Sequence, residues 1–346
     1  MLAACSTKTA ISESINNRPR RERTAGSFPT LYANLVYVNP PSTDYRAWPK
    51  AELHLHLEGS IEPETMQALD PALSTDDVRA MYRFTGFQGF IETYKAVASR
   101  LRTPESYALA TRALLTRLTP ENVRYAEITL SAGVVLWKQQ DFAPIYDAVR
   151  EAAAEFPMDV YWILDAIRHF GAEHAMEVAK LAAERADDGV VAFGIGGDEV
   201  RGPAAWFGDV FRFAKSAGLH LVAHAGETAG PESVWAALEI GAERIGHGIR
   251  ASEDPALVQQ LRDRSIPLEI CISSNVATGA VASLDAHPVR RLYDAGVPII
   301  LNTDDPAIFA TTLSAEYDLA ARRFGFSAVE LRGIADNAHR YAFNAR

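Results

Sequence analysis

Two histidines near the start of the apolar part of the chain, His54 and His56, have the type and spacing to share a metal ion. Leu53, Leu55 and Leu57 alternate with them, which predicts a β-strand with the histidines on one face and the leucines on the other. Two imidazoles one pleat apart can reach a common metal. A His-x-His pair also occurs on ordinary surface strands, so the metal interpretation depends on further ligands elsewhere.

Further side chains with ligand or acid–base chemistry follow later apolar runs. His224 and Glu227 end one run, His247 ends the next, and Asp304 and Asp305 end the last. Each has a plain alternative, because a strand-end histidine can be a core residue and Asp-Asp-Pro can form a turn. Such residues at several strand ends together are harder to explain by chance.

Three histidines and one carboxylate suit Zn²⁺, which takes nitrogen and oxygen ligands and leaves a position for water. Glu227 and His247 would then remain for proton transfer. A zinc-bound water with a pKa near neutrality is a hydrolytic nucleophile. From the spacing alone we predict a metal-dependent hydrolase.

Eight apolar runs that alternate with helical patterns must position these residues. After the run that contains His54, we predict strands at 123–130, 160–165, 190–195, 219–224, 244–247, 267–272 and 297–302. We predict helices at 143–155, 172–186, 204–217, from 231, 255–264, 313–323 and 327–344. This alternation indicates an α/β protein with a parallel sheet, and eight strands close a (β/α)8 barrel of the TIM type. The strands of such a barrel end at one mouth, where the candidate residues would converge.

An open doubly wound sheet is the structural alternative, but it needs a glycine-rich first loop that the sequence lacks. A helix-rich insertion, about 75–118, follows the first strand. Its aromatic segment 82–94 either covers the mouth or packs in the core, and the sequence leaves both open.

The chain has 346 residues and a net charge of −10. We expect one barrel domain over 46–346 and a polar, poorly ordered extension over 1–45. The segment Met1–Ser6 superficially resembles the end of a lipoprotein signal, but no basic or apolar region precedes it, which makes this the minor interpretation.

Without a basic stripe we expect no nucleic-acid partner. The sequence contains no run of about 18 apolar residues, so we predict no membrane-spanning helix. The two cysteines, Cys5 and Cys271, are far apart, so we expect no disulfide framework and a reducing, cytoplasmic location. A homo-oligomer is left open.

In combination, six motifs between about Trp48 and Tyr317 resemble the adenosine deaminase family of the amidohydrolase superfamily. They are 49–59, 197–199, 224–227, 244–248, 274–279 and 302–306. The resemblance implies that His54, His56, His224 and Asp304 are the zinc ligands. It implies that Glu227 protonates purine N1 as hydroxide adds to C6, which requires a partly protonated buried carboxyl.

The remaining roles also come from the resemblance. His247 would deprotonate and orient the zinc-bound water, with Asp304 assisting. Asp305 would contact that water and purine N7, and the main-chain N–H of Gly197 would donate to purine N3. The implied reaction is hydrolytic loss of the 6-amino group of a purine nucleoside as ammonia, with water as the second substrate.

Glu58 departs from the family pattern, since the usual adenosine enzyme has an aspartate there that binds the ribose 5′-hydroxyl. Glutamate at this position is similar to the adenine deaminase branch, but 244–248 and 302–306 resemble the nucleoside branch. This mixture suggests a nucleoside altered at its 5′ position, as in 6-aminodeoxyfutalosine deaminases of a menaquinone route. The benzoate of that substrate would need a cation, for which Arg168 is the first candidate and Arg83 and Arg201 are alternatives. Arg168 can equally be a fold-supporting arginine.

Three competing functions stay open: an adenine deaminase, another amidohydrolase, and a non-catalytic binding protein on an inactivated barrel. An esterase-like or lactonase-like amidohydrolase often uses a carbamylated lysine, and the predicted fourth strand ends without a lysine. An inactivated barrel would have lost a ligand or the acid, but every position is filled.

Overall fold

Eight parallel strands form one sheet in the computed structural model, which describes residues 43–344. They are β1 (Lys50–His56), β2 (Val123–Leu130), β3 (Asp159–Ile167), β4 (Val190–Gly196), β5 (His220–Ala225), β6 (Arg244–His247), β7 (Leu268–Ile270) and β8 (Ile299–Leu301). Each strand pairs in parallel with the next one along the chain. The predicted (β/α)8 barrel is confirmed.

The segment after β8 brings the sheet back to β1. The main-chain N–H of His56 donates to Asp304 O over 2.8 Å, and the N–H of Asp304 donates to His54 O over 3.0 Å. The side-chain oxygen of Asn302 accepts the N–H of Leu53 at 2.8 Å and therefore takes the place of a main-chain carbonyl. These contacts join the last strand to the first, as barrel closure requires.

Fourteen α-helices lie among residues 43–344. They are α1 (Pro63–Leu69), α2 (Thr75–Met81), α3 (Gly86–Ala98), α4 (Pro104–Leu118), α5 (Ala132–Trp137), α6 (Phe142–Ala153), α7 (Ala172–Glu184), α8 (Gly208–Ser216), α9 (Pro231–Glu239), α10 (Pro255–Asp263), α11 (Ile272–Ala277), α12 (Val289–Asp294), α13 (Leu313–Phe324) and α14 (Ala328–Arg340). Capping boxes start α2, α4 and α14 because Ser or Thr pairs with the residue three positions on. The helices cover the outer face of the barrel, so both faces of the strands are largely buried. One face of β1 is nevertheless polar, with Lys50, Glu52, His54 and His56 all buried.

The helical insertion predicted over about 75–118 is confirmed and comprises α2 to α4, whereas α1, which precedes it, was not predicted. Some predicted bounds were wrong. The seventh strand ends at Ile270 instead of residue 272, because α11 begins at Ile272. The sequence analysis also did not predict α5, α11 or α12, each of six residues, since so short a helix shows little periodicity.

The amino-terminal end of the barrel is closed by Phe343, near the end of the described residues. Phe343 stacks on His220 with ring centroids 4.1 Å apart, and the guanidinium carbon of Arg244 lies over the Phe343 ring, 3.8 Å from its centroid. The N–H of Phe343 donates to Glu127 Oε1 over 2.6 Å. This plug leaves the carboxyl ends of the strands as the accessible mouth.

The predicted extension, 1–45, lies almost entirely outside the described residues, so its prediction stays open. Among residues 43–344, no helix combines the length and apolar character that crossing a bilayer requires.

Candidate metal centre and active site

Four side chains from three parts of the barrel converge at its mouth. Ligand atoms of His54, His56, His224 and Asp304 all lie within 4.8 Å of one another. His54 Nε2 and His56 Nε2 are 3.2 and 3.3 Å from Asp304 Oδ1, and His56 Nε2 is 3.2 Å from His224 Nε2. The histidines come from β1 and β5, and Asp304 follows β8. These are the four predicted zinc ligands.

Neighbouring groups fix the orientation of these ligands. Glu269 Oε2 lies 2.8 Å from His54 Nδ1, and Glu269 Oε1 accepts from Arg244 Nε over 2.6 Å. His224 Nδ1 lies 3.2 Å from the carbonyl of Ile195. With Nδ1 protonated against an acceptor, both rings direct an unprotonated Nε2 toward the cluster, as metal ligation requires.

A polar atom without a partner supports metal binding at this cluster. His54 Nε2 is buried and, although Asp304 Oδ1 lies 3.2 Å away, makes no hydrogen bond to any described residue, whereas a buried polar atom is nearly always paired. Three imidazoles with one carboxylate form a donor set that a divalent transition metal accepts. The residues present therefore fit a single metal ion.

The main chain is strained at two of the site residues. His247 has φ +61° and Asp304 has φ +66°, in the left-handed region that residues with a side chain rarely adopt. Gly246 precedes His247, and a Cβ there would lie 2.8 Å from His54 Cε1, so only glycine leaves room for that ring.

Glu227 and His247 face each other beside the metal cluster. His247 Nε2 is 3.7 Å from Glu227 Oε2 and 3.9 Å from Asp304 Oδ2. Burial, with added repulsion from Asp304, raises the pKa of Glu227 well above its ordinary value. A carboxyl with a raised pKa can retain a proton at a higher pH than an exposed glutamate does.

The loop that carries Glu227 is held by one carboxylate, Glu199. Its oxygens accept the main-chain N–H groups of Gly226 at 2.8 Å, Glu227 at 2.9 Å and Thr228 at 2.7 Å. Ser233 Oγ donates to it as well. The sequence analysis quoted Glu199 within a motif but assigned it no role.

A cavity of about 460 Å³ opens above the cluster. Its floor contains His56, His224, Glu227, His247, Asp304 and Asp305. Its walls are largely apolar and come from α3, α5 and the segment after β3, with Phe87, Phe90, Ile91, Val134, Trp137 and Phe170. The aromatic segment 82–94 therefore has both of the roles considered for it. It lines the mouth of the cavity, and it packs against the protein, since the ring centroids of Phe90 and Phe309 are 5.1 Å apart.

Two predicted substrate residues line this cavity. Gly197 has φ +91° and adjoins His169, whose Nδ1 would lie 3.3 Å from an added Cβ. Asp305 is buried and its Oδ1 makes no hydrogen bond to a described residue. Burial, and then repulsion from Asp304, raises the pKa of Asp305 well above its ordinary value.

The structure places Glu58 and Arg168 behind the cavity wall. Glu58 accepts the N–H of Ser131 at 3.1 Å and the hydroxyl of Tyr94 at 3.3 Å, and it is 1 % exposed. Arg168 is fully buried and donates to His224 O over 2.5 Å. The prediction that Arg168 supplies a cation at the mouth is therefore corrected. The buried position of Arg168 matches the alternative, an arginine that supports the fold. Neither Arg83 nor Arg201 is among the cavity-lining residues.

The sequence analysis missed several residues that complete the site. Asp165 lies two residues before the end of β3 and lines the cavity, and burial raises its pKa to about 7. Ser274 Oγ donates to Asp304 Oδ2 over 2.7 Å. Lys95 and Lys138 also line the cavity. Asp165 ends a predicted strand, which is the same signal as that of the predicted ligands. Lys95 lies in α3 and Lys138 directly follows α5, so neither had this signal.

A closed parallel barrel with three histidines and one aspartate at its mouth defines the class: a (β/α)8 barrel of the amidohydrolase type. A family model described as Adenosine deaminase matches residues 49–346. The chain belongs to the adenosine deaminase family, whose members are hydrolytic enzymes.

Known proteins resemble the chain over most of its length. The aminodeoxyfutalosine deaminase of Streptomyces coelicolor is 41% identical over 339 residues, which covers 93% of this chain and 86% of the relative. An adenine deaminase of Rhizobium leguminosarum bv. trifolii is 37% identical over 303 residues, covering 85% and 94%. The crystal structure of a Burkholderia ambifaria amidohydrolase with bound Zn has a TM-score of 0.80 at 25% identity, covering 86% of each chain.

Proposed function

We propose that this protein is a zinc-dependent enzyme that hydrolyses the 6-amino group of an adenine nucleoside and releases ammonia. The observation that carries the proposal is one cavity floor that combines the four-residue metal cluster with Glu227, His247 and Asp305. Two relatives whose names specify deamination of an adenine compound support the class of substrate.

Zinc is the metal that we propose for the cluster of His54, His56, His224 and Asp304. The nitrogen-rich donor set favours it, and so does the zinc in the Burkholderia amidohydrolase. When bound, the metal supplies Lewis acidity that lowers the pKa of a water molecule toward neutrality.

The residues of the chain supply the proton transfers and the alignment. Glu227 carries a proton to purine N1 while the water oxygen forms a bond to C6. The C6–N6 bond then breaks, and N6 takes one of the two water protons and leaves as ammonia, while the other water proton restores the carboxyl of Glu227. Asp305 holds purine N7, and the N–H of Gly197 holds purine N3. The largely apolar walls of the cavity limit the access of bulk water to its floor.

A 5′-modified nucleoside such as aminodeoxyfutalosine is the substrate that we propose. The cavity of about 460 Å³ is in the range that holds drug-sized ligands, and a free purine base would fill only part of it. At its rim Trp137, 65 % exposed, stacks on Phe170 with centroids 6.0 Å apart, which suits an aromatic group.

A cation at the same rim suits an acidic group on that extension. Lys95 is exposed and lines the cavity, and within residues 43–344 no carboxylate forms an ion pair with it. Lys138 lines the cavity too, but its Nζ donates to the carbonyls of Ala98 and Leu101 at 2.6 and 3.2 Å. Lys95 therefore replaces Arg168 as the candidate partner of a carboxylate.

Adenine deamination is the second candidate, and the position of Glu58 favours it. Because the Glu58 carboxylate binds Ser131 and Tyr94, it does not reach the cavity to receive a ribose hydroxyl. The 37% identity to an adenine deaminase points the same way.

An ammonia-release screen separates these candidates. The zinc-loaded protein is assayed with adenine, adenosine, 5′-deoxyadenosine, methylthioadenosine and aminodeoxyfutalosine, and chelator-treated protein is the control. We expect the highest kcat/KM with aminodeoxyfutalosine and no turnover after metal removal. A preference for adenine would select the second candidate, and release of no ammonia from any of the five would contradict the proposal.

A further inference from the structure

A chain of three hydrogen bonds leads from a main-chain amide to His247. The N–H of Val289, at the start of α12, donates to His287 Nδ1 over 3.2 Å. His287 Nε2 lies 3.2 Å from Asn275 Oδ1, and Asn275 Nδ2 lies 3.0 Å from His247 Nδ1. Asn275, His287 and His247 are all buried, so water does not compete for these bonds.

The first donor sets the direction of every later bond. A main-chain amide can only donate, so His287 Nδ1 must accept and the neutral His287 ring carries its proton on Nε2. That N–H requires the oxygen of Asn275 opposite it, which turns the amide NH2 toward His247 Nδ1. His247 Nδ1 therefore accepts, and the neutral His247 ring carries its proton on Nε2.

The reversed chain would bring donors together. A His287 ring protonated on Nδ1 would place two N–H groups against each other at Val289. Burial, followed by the His247 charge, lowers the pKa of His287 to about 3, which keeps the ring neutral. A flipped Asn275 amide would likewise set its NH2 against the His287 N–H.

We infer that Asn275 and His287 are positioning residues that make His247 a hydrogen-bond donor toward the reacting atoms. His247 Nε2 faces Glu227 Oε2 at 3.7 Å and Asp304 Oδ2 at 3.9 Å, so its proton points into the reaction centre. This inference rests on the proposed function and deepens it. It also revises the role that the family resemblance implied for His247.

The consequence concerns the proton of the attacking water. An Nε2 that already carries hydrogen has no lone pair to accept another proton. The water O–H bond therefore breaks toward a carboxylate oxygen, while His247 keeps its proton and donates to the oxygen that bonds to C6. His247 then orients and stabilises without acting as the base.

Three variants of the zinc-loaded full chain test the inference. Asn275→Asp presents an acceptor to His247 Nδ1 and so reverses the last bond. His287→Leu leaves the Asn275 oxygen unpaired. His287→Gln keeps an amide donor for that oxygen and should conserve the direction of the chain. His174→Leu, which removes a half-buried histidine of α7 with no hydrogen bond to a described residue, is the control for histidine loss.

The direct readout is the protonation of the two ring nitrogens of His247, measured by NMR on protein with ¹⁵N-labelled histidine. The signals are assigned by their loss in His247→Gln. We expect a bare Nδ1 and a protonated Nε2 in the wild-type protein and in His287→Gln, and a protonated Nδ1 in Asn275→Asp. Zinc content and melting temperature are measured for each variant.

The kinetic readout is kcat and KM. We expect kcat to fall roughly 10- to 100-fold in Asn275→Asp and His287→Leu, with KM and zinc content close to wild type, and to recover in His287→Gln. A protonated Nδ1 in the wild-type protein would overturn the inference, as would parallel losses of zinc and turnover in all three variants. Failure of the proposed function would leave the NMR pattern intact, so the two failures can be told apart.

Discussion

Gly59 and Asp305 approach so closely that a Cβ added to Gly59 would lie 1.7 Å from Asp305 Oδ1. The segment that follows β1 thus sets the position of the carboxylate proposed to hold purine N7. No side chain is compatible with this contact unless Asp305 moves.

Replacing Gly59 by alanine should therefore damage substrate binding and leave the metal in place. We expect kcat/KM to fall about 100-fold, since a displacement of about 1 Å in a positioned group can cost that much. Gly333→Ala is the matched control, because a Cβ there meets nothing within 4 Å. Steady-state kinetics with metal analysis checks the result, and unchanged kcat/KM would show that Asp305 does not position the substrate.

Glu269 should tune metal affinity, because it accepts from both His54 Nδ1 and Arg244 Nε. Glu269→Gln weakens the hydrogen bond that orients His54, and we expect zinc affinity to fall 10- to 100-fold. Glu243→Gln, at the opposite end of the barrel in an ion pair with Lys215, is the control for loss of a charge pair. Competition with a chromogenic chelator measures the affinity. Equal affinities in the two variants would contradict this role.

Removal of the proton donor should separate chemistry from metal binding. Glu227→Gln keeps the shape of the side chain but cannot donate a carboxyl proton, so we expect turnover to fall about 10²- to 10⁴-fold with full zinc content. Glu232→Gln, an exposed residue just beyond the same loop, should retain turnover. Wild-type turnover in Glu227→Gln would exclude the acid role, and loss of zinc would assign Glu227 to metal binding instead.

Lys95 should discriminate between substrates by charge. We expect Lys95→Gln to lower kcat/KM for aminodeoxyfutalosine by up to about fivefold, since an exposed ion pair contributes ~0.2–1 kcal/mol. Turnover of methylthioadenosine, which has no carboxylate, should not change. Lys95→Arg should keep the charge and the preference. An equal loss with both substrates would show that Lys95 acts through packing.

Glu330 predicts a pH dependence of stability. Its carboxylate accepts from Arg290, and from the N–H and hydroxyl of Ser327, which lowers its pKa from 4.5 to about 2. Between these values the unfolded chain binds the proton and the folded chain does not, so this stability is present above about pH 4.5 and is lost as the pH falls toward 2.

Glu330→Gln should therefore be less stable than wild type at pH 7, and the difference should shrink at pH 3.5. Urea denaturation at both pH values measures the free energy of unfolding of each protein. Subtracting the variant from the wild type at each pH cancels the contribution of the other titrating groups. Glu184→Gln, at the exposed end of α7, is the control. A difference that stays constant with pH would contradict the prediction.

The sequence could predict the fold and the place of the candidate residues because the two are marked at the same positions. Each apolar run predicts a strand, and the polar residue at the end of the run predicts a member of the site. His54, His224 and Asp304 each follow or end an apolar run, and the barrel brings such positions together. The direction of a side chain is not encoded in this way. Glu58 and Arg168 follow strands too, but Glu58 turns toward Ser131 and Arg168 toward His224 O, contacts that depend on tertiary packing.

The sequence also could not predict which distant residues form hydrogen bonds with the histidines of the site. Glu269 contacts His54 across 215 positions, and His287 acts on His247 only through Asn275. Their spacing follows no helix or strand period, so the fold must be known before these pairs can be found.

Asp304 makes both the main-chain bonds that join the last strand to the first and one side-chain contact of the metal cluster. A nascent chain leaving the ribosome carries His54, His56 and His224 long before Asp304 emerges. During synthesis the ion therefore meets at most three of its four ligands until nearly nine-tenths of the chain has been translated. The complete set of four ligands therefore comes together in the same step that closes the barrel.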